Sequence, residues 1–318
     1  MNRELEMRLK TLLIALAAML AITGAASADW APSGPIRLQI GFGAGGETDT
    51  LGRAIAVAME AETGWDVIAE NKLGGGGVAM FTGVGAQAPD GRTIGMGVSM
   101  PILINLVLRG DQLPFTLDSF DYLATVTRAQ VAIVAKADAP FDDLAGLVAG
   151  SKSAGGLAVA FDAKPQELIL LAVNEQDQAG LRPVPAKSSA EMIQNVLGGH
   201  VAASFAAGAH IPYLESGDLK MLASANAERH SYAPDTPTLR EQGYDLFVDP
   251  WFYFAAPAGL TAEAKSALSA ALDAAIGSNA VGELVARAMH SEARNLGADG
   301  TREMMEAGLG GVQRLFGQ

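Results

Sequence analysis

The stretch PIRLQIGFGAGGETD, residues 35–49, decides the reading of the fold. Ile36–Ile40 has the composition of a buried β-strand, and Gly41, Gly43, Gly45 and Gly46 follow as a loop. Thr48 or Asp49 is placed to cap a helix running from Leu51 to about Thr63. A strand, a glycine loop and a capped helix make an anion site. Without Cβ atoms, backbone N–H groups can turn inward, and the helix N-terminus adds about half a positive charge. The spacing therefore predicts that a negatively charged group is held at residues 41–49.

Outward from that stretch, short apolar strands alternate with amphipathic helices, the pattern of an α/β protein with mainly parallel sheets. Residues 67–69 and 93–98 read as the next two strands, with a helix over roughly 78–88 between them and a turn at Pro89-Asp90-Gly91. A second set has strands at 122–127, 131–135, 157–161 and 201–206, a helix after Pro165 and another over 189–197. Residues 221–225 resemble the first set again. Residues 252–255 are a strand, the alanine-rich stretch 261–290 is helical, and 301–315 form a last helix. The block 128–222 is thus expected as a lobe inserted into one built from 29–127 and 223–318. Two crossings and a cleft follow, and ligands of open α/β sheets bind beyond the carboxyl ends of the strands. The loop at 41–49 faces that cleft.

Gly41, Gly43 and Gly46 also match the dinucleotide fingerprint GxGxxG, with Glu70 placed 24 residues after Gly46. An exported oxidoreductase using NAD or FAD is therefore an alternative, and a tight strand-to-helix turn is the purely structural one. The second glycine run, Gly74 to Gly77, suits either a close backbone approach at the cleft edge or a flexible loop. His200, His210, His230 and His290 have no metal spacing, and Ser99, Ser188 and Ser189 lie in no GxSxG elbow. Glu47 with Asp49 has the form of a carboxylate pair, but a helix cap is the better use of one of them.

Residues 11–22 are almost wholly apolar behind Arg8 and Lys10, and Ala26-Ser27-Ala28 is a small-x-small cleavage site. The expectation is a secretory signal peptide over 1–28, too short to span a membrane, with Met7 an alternative start. The chain from residue 29 would carry 19 basic and 33 acidic residues, a net charge of −14. So acidic a protein is a poor partner for nucleic acid or anionic membranes. It has no cysteine, which removes disulfides, thiolate metal sites and cysteine nucleophiles.

Six stretches together resemble one family. They are WAPSGPIRLQIGFGAGGETD (30–49), VIAENKLGGGGVA (67–79), APDGRTIGMG (88–97), VPAKSSAEMIQNVLGGHVAASF (184–205), PDTPTLREQGYDLF (234–247) and WFYFAAPAGL (251–260). In this order they are similar to the Bug-type extracytoplasmic solute receptors of tripartite tricarboxylate transporters. The resemblance covers essentially the whole chain after the leader. It implies a two-lobed, type II-like periplasmic-binding-protein fold that closes on a small carboxylate and passes it to two membrane subunits. It implies a non-enzymatic, cofactor-free protein in the periplasm, not embedded in the membrane; a monomer is the default for a receptor that must open and close. A ligand sensor for a membrane kinase would need the same closed state and is a further alternative.

The resemblance also implies site residues. The loop Phe42, Gly43, Gly45, Gly46, Glu47, Thr48 and Asp49 would hold a carboxylate through amides around Gly45 and Gly46, the Thr48 hydroxyl, and a water oriented by Asp49. Ser99 matches a hydroxyl position, and Asp162, Ala163 and Lys164 follow from the second lobe. Phe161 and Phe205, with Met100, would set the cavity volume. The chain departs from the family pattern at Glu47, where glycine is usual, at FDAKPQ (161–166), and at Ala186-Lys187-Ser188. Glu47 or Asp162 is then expected to meet a cationic group on a zwitterionic ligand while Lys164 meets its carboxylate.

Overall fold

The computed structural model describes residues 30–316, so the expected signal peptide lies outside the described residues. From Pro32 the chain folds as one body containing two sheets. The first part runs β1 (Ile36–Ile40), α1 (Glu47–Thr63), β2 (Val67–Asn71), α2 (Val78–Gly85), β3 (Thr93–Val98), α3 (Ser99–Arg109) and β4 (Phe120–Arg128). The second runs β5 (Val131–Lys136), α4 (Leu144–Ala154), β6 (Ala158–Phe161), α5 (Lys164–Asp177), β7 (Arg182–Pro185), α6 (Ser189–Leu197), β8 (Ala203–Ala207), α7 (Ile211–Glu215) and β9 (Leu219–Ser224). The chain returns through β10 (Trp251–Pro257), α8 (Ala262–Ile276), α9 (Asn279–Met289) and α10 (Gly297–Phe316).

The first sheet has the order β2-β1-β3-β10-β4 and the second β7-β6-β8-β5-β9. Every residue of β3 is buried, as expected of a strand covered by helices on both faces. One strand in each sheet is reversed, β10 in the first and β5 in the second. Both are strands by which the chain arrives from the other lobe. They enter at the cleft and run away from it, whereas the strands of βαβ units end at the cleft. A reading of mainly parallel sheets misses this, because direction is set by the crossings and not by local hydropathy.

The first crossing, Ala129 and Gln130, joins β4 to β5 close to the expected boundary at 128. The expected second boundary at 222 falls inside β9, which pairs with β5. The chain then stays on the second lobe. Gln242 Nε2 donates to the Leu222 carbonyl at 3.0 Å, the Leu144 amide donates to Gln242 Oε1 at 3.0 Å, and the Tyr244 hydroxyl donates to Asp177. The return is at Val248 to Pro250, and the Ala129 amide donates to the Pro250 carbonyl at 2.8 Å, so the two crossings are bonded to each other.

Asn226 ties the same place together. Its Oδ1 accepts the Val131 amide at 2.7 Å, and its Nδ2 donates to the Ala129 carbonyl at 3.1 Å and to Asp249 Oδ1 at 3.0 Å. Buried polar groups in such a position are costly unless fully bonded, and here they are used to join both crossings. The final helix, α10, packs on α3 and β4, with Met305 and Val312 buried, so the chain's last element belongs to the first lobe.

Candidate functional site

The ends of β1, β3 and β6 and the openings of β5 and β10 converge on a narrow cavity. Phe42, Gly46, Glu47 and Thr48 line it from the β1–α1 turn, and Val98, Met100 and Pro101 from the start of α3. The second lobe contributes Asp162, Ala163, Pro165, Gln166, Ser189 and Ala207, and the crossings contribute Ala129, Val131, Val248, Pro250 and Phe252. A largely apolar wall with a few polar groups is the usual make-up of a small-molecule site. Among the described lining residues there is no lysine, arginine or histidine.

The glycine loop is held by its own acid. Asp49 Oδ2 accepts the Gly45 amide at 3.0 Å, and its Oδ1 accepts Arg53 Nε at 2.9 Å and Asn71 Nδ2 at 2.8 Å. Asn71 Nδ2 also reaches the Phe42 carbonyl at 2.9 Å. Neither Thr48 nor Asp49 caps α1: the helix begins at Glu47, its N-cap is Gly46, and both residues lie within the first turn. This earlier start moves the donors offered to the cavity. The Gly43 amide donates to the Lys187 carbonyl of the other lobe at 3.0 Å, and the Gly46 amide to the Gly43 carbonyl at 3.3 Å. The first amides of α1, at Glu47 and Thr48, have no intrahelical acceptor, and both residues line the cavity.

The two glycine runs are structural neighbours at the cleft. A Cβ on Gly76 would meet Pro101 Cβ at 2.8 Å and Ala163 Cβ, in the second lobe, at 3.4 Å. Close approach, not looseness, is therefore the use of the second run.

Four expected site residues, Ser99, Lys164, Phe161 and Phe205, stand outside the cavity lining. Ser99 Oγ accepts the Trp251 amide at 3.0 Å and ties the end of β3 to the start of β10. Lys164 Nζ donates to Glu167 Oε2 at 2.7 Å, away from the lining. Phe205 is fully buried in β8 and Phe161 half-buried at the end of β6, and neither lines the cavity. Phe42, Gly46, Glu47, Thr48, Asp162 and Ala163 do line it; Gly43, Gly45 and Asp49 shape the loop behind it.

Glu47 is the least ordinary group here. It is 8% exposed, and neither carboxyl oxygen has a hydrogen-bond partner among the described residues. Burial, and then the charge of Asp162, push its pKa well above the usual carboxylate range. Burial likewise pushes Asp162 up to about 6, against the pull of hydrogen bonding to Gln166 and to backbone. Gln166 Oε1 accepts the Asp162 amide at 2.8 Å, which fixes the turn that presents the acid.

A directed polar chain runs from the hinge toward Glu47. Asn226 Nδ2 is spent on two acceptors, so its Oδ1 accepts His230 Nε2–H at 2.8 Å. His230 Nδ1 then accepts the Tyr232 hydroxyl proton at 2.6 Å, and the Tyr232 oxygen accepts His210 Nε2–H at 2.8 Å. Burial holds His230 down to about 4 and His210 down to about 3. Burial, with the charge of Glu47 second, raises the Tyr232 phenol.

Two α/β sheets joined by paired crossings around one cavity define the periplasmic-binding-protein class. The solved periplasmic binding protein BugD matches with a TM-score of 0.80 at 23% identity, over 90% of this chain and 97% of that one. MatC from Rhodopseudomonas palustris with bound malate matches with a TM-score of 0.80 at 24% identity, over 89% and 99%. The sequence model of the tripartite tricarboxylate transporter family receptor matches residues 51–298. BugT of Bordetella pertussis is 30% identical over 290 residues, covering 88% of this chain and 89% of its own. The chain belongs to this receptor family, whose members are substrate-binding proteins and not enzymes.

Sequence reasoning passed over Gln166, Ser189, Pro101 and Phe252. Residues 99–109 carry no capping residue ahead of the helix, since α3 follows β3 directly with Val98 as its N-cap, so nothing marked that helix or the cavity wall it makes. Ser189 was visible as a serine at the start of a correctly placed helix.

Proposed function

We propose that this protein is a periplasmic receptor that captures a small organic carboxylate between its lobes and delivers it to two membrane subunits of a tripartite transporter. The observation that carries the reading is the first turn of α1 opening onto a narrow cavity bounded by both lobes and by both crossings. Family membership supports it, and so does malate in MatC, a protein of the same fold. The leader read at residues 1–28 supports export. Thr48 and the amides at Glu47 and Thr48 receive the carboxylate, with Ser189 and Gln166 on the facing lobe. Phe42, Met100 and Phe252 exclude water.

At a net charge of −14 after the leader, the whole-protein field does not draw anions in, so affinity has to come from local donors and closure. Three or four charge-assisted hydrogen bonds at about 1.5–3 kcal/mol each, less the cost of closing, reach about micromolar binding. The dinucleotide alternative is disfavoured by the loop itself: the Gly43 amide, which a pyrophosphate would need, is taken by Lys187.

Calorimetric titration of the exported chain with mono- and dicarboxylates, NAD and FAD tests the capture step. Micromolar binding of carboxylates alone is the expected result, and binding of NAD or FAD alone overturns the reading. Uptake into proteoliposomes containing the two membrane subunits tests delivery. It should require the receptor; receptor-independent uptake would separate capture from transport.

A further inference from the structure

We infer that Glu47 and Asp162, one from each lobe, form a subsite for a positively charged group, so that the captured solute carries an ammonium or other cationic nitrogen beside its carboxylate. The inference rests on the receptor reading and narrows its solute class.

The starting point is Glu47. Its carboxyl is more than nine-tenths buried, lines the cavity and lacks any partner for either oxygen among the described residues. Burying such a group unpaired is costly, and protein interiors rarely tolerate it without a use. The fold makes room for it deliberately. Gly208, in the second lobe just after β8, has φ +96°, and a Cβ there would stand 1.8 Å from Glu47 Oε1. Asp162 lines the same cavity from the turn after β6, near enough for its charge to act on Glu47.

Two acids therefore face a shared space from opposite lobes, with no basic side chain in the described lining. A plain dicarboxylate placed with one end here is received only while the acids keep their protons and is repelled once they ionise. A cation placed here is attracted by both acids and joins the lobes, which also favours closure. The α1 amides stand in the same cavity and suit an anion. The site is thus polarised: an anion-binding end in the first turn of α1 and a cation-binding end between Glu47 and Asp162. A zwitterionic amino acid or a betaine-like acid fits both ends; a simple diacid fits one.

The test compares matched pairs of probes by thermal shift and calorimetry: succinate with aspartate, glutarate with glutamate, propionate with β-alanine, and butyrate with 4-aminobutyrate. The wild type should be stabilised by amine-bearing members and bind them at least tenfold more tightly than their plain partners. Glu47→Gln should weaken binding of the preferred amine by about 10- to 100-fold, the loss expected for one charge-assisted bond. Asp162→Asn provides the second reading should Glu47→Gln unfold, which its unliganded melting curve reports. Equal or tighter binding of the plain acids, with affinity unchanged in Glu47→Gln or Asp162→Asn, overturns the inference and leaves the carboxylate receptor standing. No stabilisation by any member of either set counts against the carboxylate receptor itself and takes this inference with it.

Discussion

Glu47 of the first lobe and Gly208 of the second meet so closely that a Cβ on Gly208 would stand 1.8 Å from Glu47 Oε1 and 2.6 Å from its carboxyl carbon. The same Cβ would lie 3.4 Å from the Ala288 carbonyl, so it has nowhere to go. Gly208 also sits at φ +96°, where an L side chain is strained. Gly208→Ala should cost about 1–3 kcal/mol and push the lobes apart. A lower melting temperature together with a larger radius of gyration by solution scattering is expected. An unaltered protein would mean the carboxyl is not held against this glycine.

Glu47 gives the unliganded protein an unusual pH response. A folded-state pKa raised above the unfolded value means that stability is fully present below the unfolded pKa and lost as pH rises through the folded one. Asp162, raised to about 6, acts in the same direction, while Tyr232, the other ionisable group coupled to Glu47, stays protonated throughout. Urea unfolding from pH 4.5 to 8 should show stability falling more steeply in the wild type than in Glu47→Gln. Parallel curves for the two proteins would sink the idea of a buried, proton-holding carboxyl.

The histidine chain works in the opposite direction. His230 is held down to about 4 by burial, so the unfolded chain binds a proton that the folded one refuses. Stability contributed by the neutral ring is therefore present above about pH 6.5 and is lost progressively as pH falls to about 4, for a total of about 3 kcal/mol. His210, held down to about 3, adds to the same loss. Because His230 bonds Asn226, and Asn226 bonds both crossings, acid should loosen the hinge first. Hydrogen exchange at pH 5 should show the amides of Val131 and Ala129 opening before those of β1; uniform exchange across both would contradict this.

Asp49 is predicted to matter through the loop and not through the ligand. Its carboxylate is buried and accepts from Gly45, Arg53 and Asn71. Asp49→Ala leaves those donors short and should destabilise the fold by about 2–3 kcal/mol. Ligand affinity should fall with it, since the loop that presents the α1 amides is no longer fixed. Chemical denaturation and calorimetry on the same variant check both parts; lost affinity with full stability would instead place Asp49 at the ligand.

The strands and helices of both lobes were legible because period and length carry them: β1, β3 and α6 stand where hydropathy put them. The extent of the second lobe was not, since β9 reads like any buried strand and only its pairing with β5 assigns it. At the site, Glu47 stood out as a charge in a glycine loop, and the structure buries it at the cavity. Gln166 and Phe252 were invisible because their roles come from turns and crossings far apart in sequence. The start of α1 was read too late, as helix starts are poorly marked where no side-chain cap stands, and α1 begins at Glu47 behind Gly46.

Lys164 separates a reading by residue type from a reading by geometry. As the only lysine in the 161–166 turn it is the natural partner for a ligand carboxylate. In the structure its ammonium pairs with Glu167 one helical turn on, more than a third of the side chain is exposed, and it lies outside the cavity lining. Exposed pairs of this kind contribute at most about 1 kcal/mol. Lys164→Ala should therefore change ligand affinity less than about twofold and stability by less than about 1 kcal/mol. Gln166→Ala, which frees the Asp162 turn, should weaken binding by about tenfold. Calorimetry on the two variants with the solute found for the wild type decides between them. A large loss with Lys164→Ala alone would mean that the turn after β6 rearranges on binding and brings the lysine in.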